Sequence, residues 1–273
     1  MKQIQTFLVL FLLLSAIHGY NQPAKRIISL APSLTKNIYY LEAQNQLIGC
    51  TSYCTEALAD HKEIIASAIK VNIEKTVSLL PDLVITTTIT SPETIETLQK
   101  LGIKVESFPT PENFNEICEQ FMRLGQLTGH EKKADEIVNA SKKRLDELKN
   151  QITIKNCPSI FFQIGADPLF TVLPKTFMND YIIYAGGENI ANDLKHGTMT
   201  RESVLVKNPD YIFIVTMGIT GNEEKKIWQK FSDLKAIKNE HLFIVDAEKA
   251  CSPTPITFVE TFETILNLMT SHL

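Results

Sequence analysis

Five side chains stand out for the chemistry they could do: Tyr53, His196 and the cysteines Cys50, Cys54 and Cys251. Imidazole and thiolate groups ligate metals, and tyrosine offers an aromatic face together with a hydroxyl. None of these residues falls in the pattern of a dinucleotide-binding turn, a phosphate-binding loop, a zinc-protease helix or a hydrolase elbow. We therefore predict a binding protein and not an enzyme, with no resident cofactor or metal.

A repeat carries a second candidate chemistry, a pair of carboxylates. Residues 74–85 (EKTVSLLPDLVI) align without a gap with residues 202–213 (ESVLVKNPDYIF). Each copy has the pattern of a short helix that is stopped by Pro-Asp and followed by an apolar strand. Because both copies begin with a glutamate, Glu74 and Glu202, we infer an internal duplication that keeps one carboxylate in each half.

The elements that must position these residues follow an alternating pattern. From residue 26 onward, short β-branched apolar runs alternate with amphipathic stretches, which is typical of a parallel sheet covered by helices. Strands are predicted at residues 27–30, 47–50, 83–87, 104–107, 160–164, 211–215 and 242–245. The fold class that this pattern indicates is α/β.

A long helix is predicted between the two halves. Residues 131–152 place apolar side chains at helical spacing and contain neither Gly nor Pro. A helix of about 20 residues is about 30 Å long, the diameter of a small domain. We therefore predict an N-terminal lobe over residues 20–129, a bridging helix over 130–152 and a C-terminal lobe over 153–273.

The chain begins like an exported protein. Residues 1–19 have a basic start, a short apolar run and a small residue at the end, which is the order of a cleaved signal peptide. No cysteine follows the apolar run directly, so we expect a soluble periplasmic protein without a lipid anchor. The formal net charge of −4 includes no basic block, which argues against nucleic acid as a partner.

Seven motifs, in their order and spacing, give the chain a family resemblance. They are residues 26–35, 47–53, 80–85, 101–105, 186–190, 208–210 and 228–245. With them the chain resembles the helical-backbone (class III) solute-binding proteins of ABC importers for cobalamin, haem and ferric siderophores. Residues 28–33, 51–53 and 162–170 are closest to the cobalamin-binding subgroup. The resemblance implies two Rossmann-like lobes with parallel sheets, bridged by one long α-helix, with the ligand between them.

The resemblance also implies the residues of the ligand cleft. These are Pro32, Ser33, Tyr53, Thr87, Thr88, Phe170, His196, Cys251 and Ser252. Cobalamin-binding members line this cleft with several tryptophans, whereas the single tryptophan here, Trp228, lies in an amphipathic run typical of packing. As the ligand, the resemblance implies cobalamin or a related corrinoid or metal chelate, with haem or a ferric siderophore as the alternative.

For Glu74 and Glu202 the resemblance implies docking of a monomer onto an ABC permease dimer in the inner membrane. The alternative is that both are ordinary solvated glutamates, stabilised by the helix dipole. The protein would then be a scavenging or sensory binder without transport. Cys50 and Cys54 flank Tyr53 and are candidates for a disulfide. The other readings are a soft-metal site that these two cysteines form with Cys251, or packed free thiols at all three positions.

Overall fold

The first half of the chain forms a five-stranded parallel sheet. The computed structural model describes residues 22–67, 70–152, 156–215 and 221–271, so the predicted signal peptide lies outside the described residues. The strands are β1 (Ile27–Ser29), β2 (Leu47–Thr51), β3 (Glu63–Ala66), β4 (Leu83–Thr87) and β5 (Val105–Phe108), in the order β3-β2-β1-β4-β5. The central strands β1 and β4 are almost wholly buried, as near-continuous apolar runs require.

The second half forms a mixed sheet. Its strands are β6 (Ser159–Ala166), β7 (Leu169–Thr171), β8 (Glu188–Asn189), β9 (Tyr211–Ile214) and β10 (Leu242–Ile244). The order is β10-β9-β6-β7, with β8 also paired to β6, and β7 runs antiparallel to β6. The prediction of parallel strands missed β7. A two-residue turn, Asp167-Pro168, joins it to β6, and a connection this short can link only antiparallel strands.

Helices connect the strands in each half. The first half contains α1 (Pro32–Tyr40), α2 (Thr55–Ala59), α3 (Ile73–Ser78), α4 (Pro92–Lys100) and α5 (Phe114–Thr128). After α6 (Glu131–Asn150), the second half contains α7 (Asn179–Tyr184), α8 (Arg201–Lys207), α9 (Gly221–Trp228), α10 (Lys235–Lys238), α11 (Ala247–Ala250) and α12 (Pro255–Thr270). Across the described ranges, none of these helices combines the length and apolar character needed to cross a membrane.

The long helix α6 joins the two sheets along the chain. It has 20 residues and therefore spans about 30 Å. It packs against α5, where a Cβ built on Gly125 would lie 2.6 Å from the Cβ of Ala134, so the two helices can approach closely only because this residue is glycine. The two sheets and α6 confirm the predicted α/β class. The lobe boundaries themselves stay a prediction.

One hydrophobic cluster spans both lobes, in addition to a separate cluster in each. A single cluster includes Leu34 of α1, Leu145 of α6 and Phe162 of β6. The rings of Phe114 and Phe258 lie 4.7 Å apart, centroid to centroid, across the lobes. Because close-packed cores resist deformation, we expect only a small closing motion between the lobes.

A buried carboxylate adds a polar link between the lobes. Asp180 Oδ2 in the second lobe accepts a hydrogen bond from the backbone amide of Phe114, at 2.9 Å. Burial raises the pKa of Asp180 above its usual value, although this hydrogen bond works in the opposite direction. Burial therefore destabilises the ionised form of the Asp180 carboxyl group that makes this link.

Candidate functional site

The two repeat helices begin in the same way. α3 and α8 are capped by Asn72 and Thr200, whose side-chain oxygens accept the backbone amide three residues later at 2.9 and 3.2 Å. Glu74 and Glu202 therefore occupy the same second position of the first turn. Both side chains are exposed, and within the described ranges neither joins an ion pair. Each repeat thus presents an exposed carboxylate that joins no ion pair among the described residues.

The two repeat helices also end in the same way. Leu80 and Asn208 have φ values of 47° and 46°, in the left-handed region, and the Pro-Asp pair follows each of them. Asp82 accepts hydrogen bonds from two backbone amides just before β1, at 2.8 and 3.1 Å. Asp210 accepts the amide and the hydroxyl of Ser159 at the start of β6, at 2.9 and 2.7 Å. Each repeat is therefore tied to the central strand of its sheet, which places the two glutamates equivalently.

The charge state of Asp210 reflects these contacts. Burial alone would raise the pKa of Asp210, but the hydrogen bonds from Ser159 and the ammonium of Lys235 outweigh burial and lower the pKa below its usual value. The carboxylate is therefore ionised at neutral pH and holds the end of α8 against β6.

The carboxyl ends of the strands define the candidate cleft, as is usual for open α/β sheets. Tyr53 follows β2 and is 60% exposed, and Phe170 of β7 is 41% exposed. Ile89 follows β4 and is 81% exposed; sequence reasoning missed this residue. Three large apolar side chains thus remain uncovered at the same ends of the strands, where a ligand can bury them.

A hydrogen bond across the lobes brings the two carboxyl edges together. Thr55 Oγ1, two residues after Tyr53, donates to Glu248 Oε1 of α11 at 3.1 Å. α11 ends directly before Cys251 and Ser252, which are half-buried. Three of the predicted cleft residues therefore lie on two loops that meet.

The loop of Cys251 and Ser252 is held by the start of α12. Thr257 Oγ1 donates to the carbonyl of Ser252 at 3.0 Å, within a capping box formed with Thr254. Burial raises the pKa of Cys251 to about 11. At neutral pH this thiol is therefore protonated and suited to packing.

The start of α1 lies beside the Tyr53 loop. Pro32 and Ser33, both half-buried, open this helix, and Thr35 Oγ1, two residues after Ser33, contacts Cys54 Sγ at 3.1 Å. This contact places the predicted residues Pro32 and Ser33 close to Tyr53. Of the two residues that make it, the sequence indicated Cys54 but not Thr35.

Thr87 and Thr88 continue the edge beyond β4. Thr87 is half-buried, and Thr88 is exposed with its Oγ1 3.2 Å from Thr110 Oγ1 after β5. Thr110 is a further polar residue at this edge that the sequence did not reveal. The first-lobe wall of the cleft therefore combines hydroxyl groups with the apolar side chain of Ile89.

Phe170 and His196 lie on neighbouring segments of the second lobe. The amide of Thr171 donates to the carbonyl of Gly197 at 2.8 Å, and Phe170 bridges to Thr198. A Cβ built on Gly197 would lie 3.3 Å from the Phe170 ring, so any side chain there would require the ring or the loop to shift. His196 is exposed on this loop. Among the described residues, no three His, Cys, Asp or Glu side chains converge as metal ligands.

The proposed disulfide is absent from the structure. Cys50 and Cys54 are both buried free thiols. They share a hydrogen bond, which raises the pKa of Cys50 and lowers that of Cys54. Thr51 Oγ1 lies 3.3 Å from Cys54 Sγ. The reading as packed thiols is the one that the structure contains, because hydroxyl and thiol partners satisfy these sulfurs.

Two of the surface cavities border the first repeat. One of about 700 Å³ is formed by Pro23, Asp82 and Lys104, among others, at the amino ends of the first-lobe strands. The other, of about 640 Å³, runs from Ser52 to Glu74. The first is at the wrong end of the sheet for a strand-end ligand site, and the second borders a repeat glutamate.

Comparison with known proteins connects this geometry to a family. A family model described as "Periplasmic binding protein" matches residues 27–249. YvrC of Bacillus subtilis, an uncharacterized ABC transporter substrate-binding lipoprotein, is 30% identical over 234 residues, which are 82% of this chain and 73% of that protein.

Solved structures share the fold. The periplasmic vitamin B12 binding protein BtuF of Vibrio cholerae superposes with a TM-score of 0.79 at 25% identity, over 92% of this chain and 98% of that chain. The periplasmic heme binding protein HutB of Vibrio cholerae superposes with a TM-score of 0.80 at 16% identity, over 90% and 98% of the two chains. The second likeness shows the fold alone.

Proposed function

Because the chain belongs to the periplasmic binding protein family, whose members bind solutes in the periplasm or outside the cell for ABC transporters, we propose a specific role within it. The protein captures cobalamin, a related corrinoid or another metal chelate in its cleft and delivers it, unchanged, to a permease dimer. It acts as a soluble periplasmic monomer after its signal peptide is cleaved.

One observation carries the transport part of this proposal: the duplicated placement of Glu74 and Glu202. A scavenger has no need for two exposed carboxylates at equivalent points of two lobes. A symmetric permease dimer presents two equivalent surfaces, and two like charges related by pseudo-symmetry complement two cationic pockets. Neither carboxylate joins an ion pair among the described residues, which supports docking, since a partner's arginines displace no cation paired with them there.

The exposed apolar residues support a flat ligand. Tyr53, Ile89 and Phe170 offer two aromatic faces and one aliphatic surface at the cleft, and flat macrocycles gain affinity from burial against such groups. The threonines Thr87 and Thr88 add hydroxyls that suit the amide or carboxylate periphery of a macrocycle. The likeness to BtuF favours cobalamin among these ligands.

A haem or ferric-siderophore ligand is the second candidate. The single tryptophan, Trp228, is fully buried and therefore does not line the cleft. The exposed Tyr53 hydroxyl and the His196 imidazole are groups that ligate iron. These features favour an iron-bearing ligand over a purely apolar one.

Absorption spectroscopy and calorimetry test the ligand. Purified protein is titrated with cyanocobalamin, hemin and ferrichrome, and we expect one-to-one binding with one of the three. Replacing Tyr53 by Phe separates the candidates: a coordinated haem or ferric centre shifts its visible bands when the hydroxyl is lost, whereas bound cyanocobalamin keeps its spectrum. Failure of all three to bind would refute the proposed ligand class.

A further inference from the structure

A buried polar network lies behind the cleft in the second lobe. Glu224 of α9 has only 6% of its side chain exposed. Its Oε2 accepts hydrogen bonds from Gln163 Nε2 at 2.8 Å and from Arg201 Nη2 at 2.6 Å. Trp228 Nε1 donates to Gln163 Oε1 at 2.7 Å, and the Arg201 guanidinium lies 4.9 Å from the centroid of the Trp228 ring. Burying a carboxylate to this extent is costly unless it is paired and hydrogen-bonded, and these contacts provide both.

One end of this network reaches the docking helix. Arg201 is the first residue of α8 and directly precedes Glu202. Its bond to Glu224 joins the first turn of α8 to α9, in addition to the cap that Thr200 provides. The position of the Glu202 backbone is therefore determined by a charged contact inside the lobe.

The other end of the network reaches the candidate cleft. Gln163 Nε2 also lies within hydrogen-bonding distance of the Gly165 carbonyl, at 3.1 Å. Gly165 pairs with Phe170, and a Cβ built on Gly165 would lie 3.1 Å from the Cβ of Phe170. A continuous set of contacts therefore runs from the ligand-facing hairpin to the residue beside Glu202.

The position equivalent to Arg201 in the first repeat carries no charge. Ile73 occupies the position that Arg201 has in the second copy. It packs against the apolar cluster that contains Ile28 and Ile65. The helix of Glu74 is held by these apolar contacts and by the ion pair between Lys75 and Glu63, at 2.7 Å, in which the Glu224 network takes no part.

We propose that Glu224, Arg201 and Gln163 are positioning residues, which fix the docking carboxylate Glu202 relative to the hairpin that carries Phe170. Docking through the second lobe then depends on the network, whereas docking through Glu74 does not. The consequence for docking rests on the proposed function. The structural part, that the network holds the start of α8 in place, does not.

Hydrogen exchange tests the structural part without a partner. Glu224→Gln keeps the size and a hydrogen bond to Gln163 but removes the charge that holds Arg201. We expect the amides of Ser203 and Val204 in α8 to exchange about tenfold faster or more. The matched amides in the first repeat, Lys75 and Thr76, make the same capping contacts and should change less than about twofold.

A second variant guards against misfolding. If Glu224→Gln does not fold, Arg201→Lys retains the positive charge but lacks the planar guanidinium, so α8 exchange should accelerate by about threefold or more. Unchanged exchange at Ser203 and Val204 in a folded variant overturns the proposal, whatever the protein transports.

A double-mutant cycle tests the docking part with the permease complex in nanodiscs. Glu202→Gln should weaken docking about tenfold in the wild type and less than about threefold in Glu224→Gln. Glu74→Gln should have the same effect in both backgrounds. Equal effects of Glu202→Gln in both backgrounds would overturn the positioning role. Absence of any docking by the wild type would overturn the docking role of this network and would also refute the transport function. The hydrogen-exchange measurement would still decide whether the network holds α8 in place.

Discussion

Replacing Phe170 or Tyr53 by alanine should weaken ligand binding by amounts that follow from their exposure. Phe170 is 41% exposed, so of about 200 Å² for such a ring about 80 Å² is available to a ligand. At about 25 cal/mol per Å² this area is worth about 2 kcal/mol, or about 30-fold in Kd. Tyr53 is 60% exposed, which gives about 120 Å², about 3 kcal/mol and about 150-fold.

Calorimetric titration with whichever of cyanocobalamin, hemin or ferrichrome binds the wild type measures both effects. Leu101 provides the matched control, because it is 53% exposed but precedes β5 at the amino end of the sheet, away from the cleft. Leu101→Ala should leave Kd within about twofold. A Kd for Phe170→Ala and Tyr53→Ala that also stays within this range would show that the aromatic side chains do not contact the ligand.

Three stability effects are also expected, each measured by urea unfolding. The folded-state pKa of Asp210 is lowered, so the carboxylate stabilises the fold above about pH 4, and this stabilisation is lost as the pH falls through the folded-state pKa. Asp210→Asn should therefore lower the free energy of unfolding by about 1 kcal/mol at pH 7, allowing for partial exposure, and by less in acid. The folded-state pKa of Asp180 is raised, so its contribution to stability is present below about pH 4 and is lost as the pH rises through the folded-state pKa. Asp180→Asn can still accept the hydrogen bond. This variant should be at least as stable as the wild type at pH 7 and should lose that advantage in acid. Gly125→Val should lower the free energy of unfolding by about 1–3 kcal/mol at any pH, because Ala134 leaves no room for a side chain. Matching pH profiles for the two aspartate variants, or a fully stable Gly125→Val, would contradict these assignments.

The repeat was accessible from sequence because its signals are local. A helix that begins at a glutamate, a Pro-Asp stop and an apolar strand follow one another within twelve residues, and the structure adds matching caps and matching left-handed residues, Leu80 and Asn208. The helix α6 was accessible for the same reason, since 3.6-residue periodicity is a property of one segment.

Contacts between distant segments were not accessible. Glu224 lies in the run Asn-Glu-Glu-Lys-Lys, which has the composition of a solvated helix face, yet its carboxylate is buried. Its partners Gln163 and Arg201 come from other elements and are set by the way that the sheet and helices pack. The strands β3 and β7 were not predicted, because β3 begins with two exposed residues and β7 is defined by its pairing with β6 across a two-residue turn.

The candidate cleft was predicted only in part. The resemblance indicated Tyr53 and Phe170, but the apolar side chain of Ile89 belongs to a turn rich in threonine, where exposure depends on tertiary structure. The contact between Thr55 and Glu248, which brings the lobes together at the cleft, joins residues that are far apart in sequence. Periodicity contains no information about such a pair.

The most direct test of the proposed role is uptake of the identified ligand by a reconstituted importer supplied with charge-reversed protein. Glu74→Arg combined with Glu202→Arg should abolish uptake, because two cations would face the permease's cationic pockets, while ligand Kd stays within about twofold. Glu131→Arg with Glu136→Arg makes the same charge change on the exposed face of α6 and should leave uptake intact. Uptake that is unchanged in the Glu74 and Glu202 variant would contradict the account of docking through the repeat.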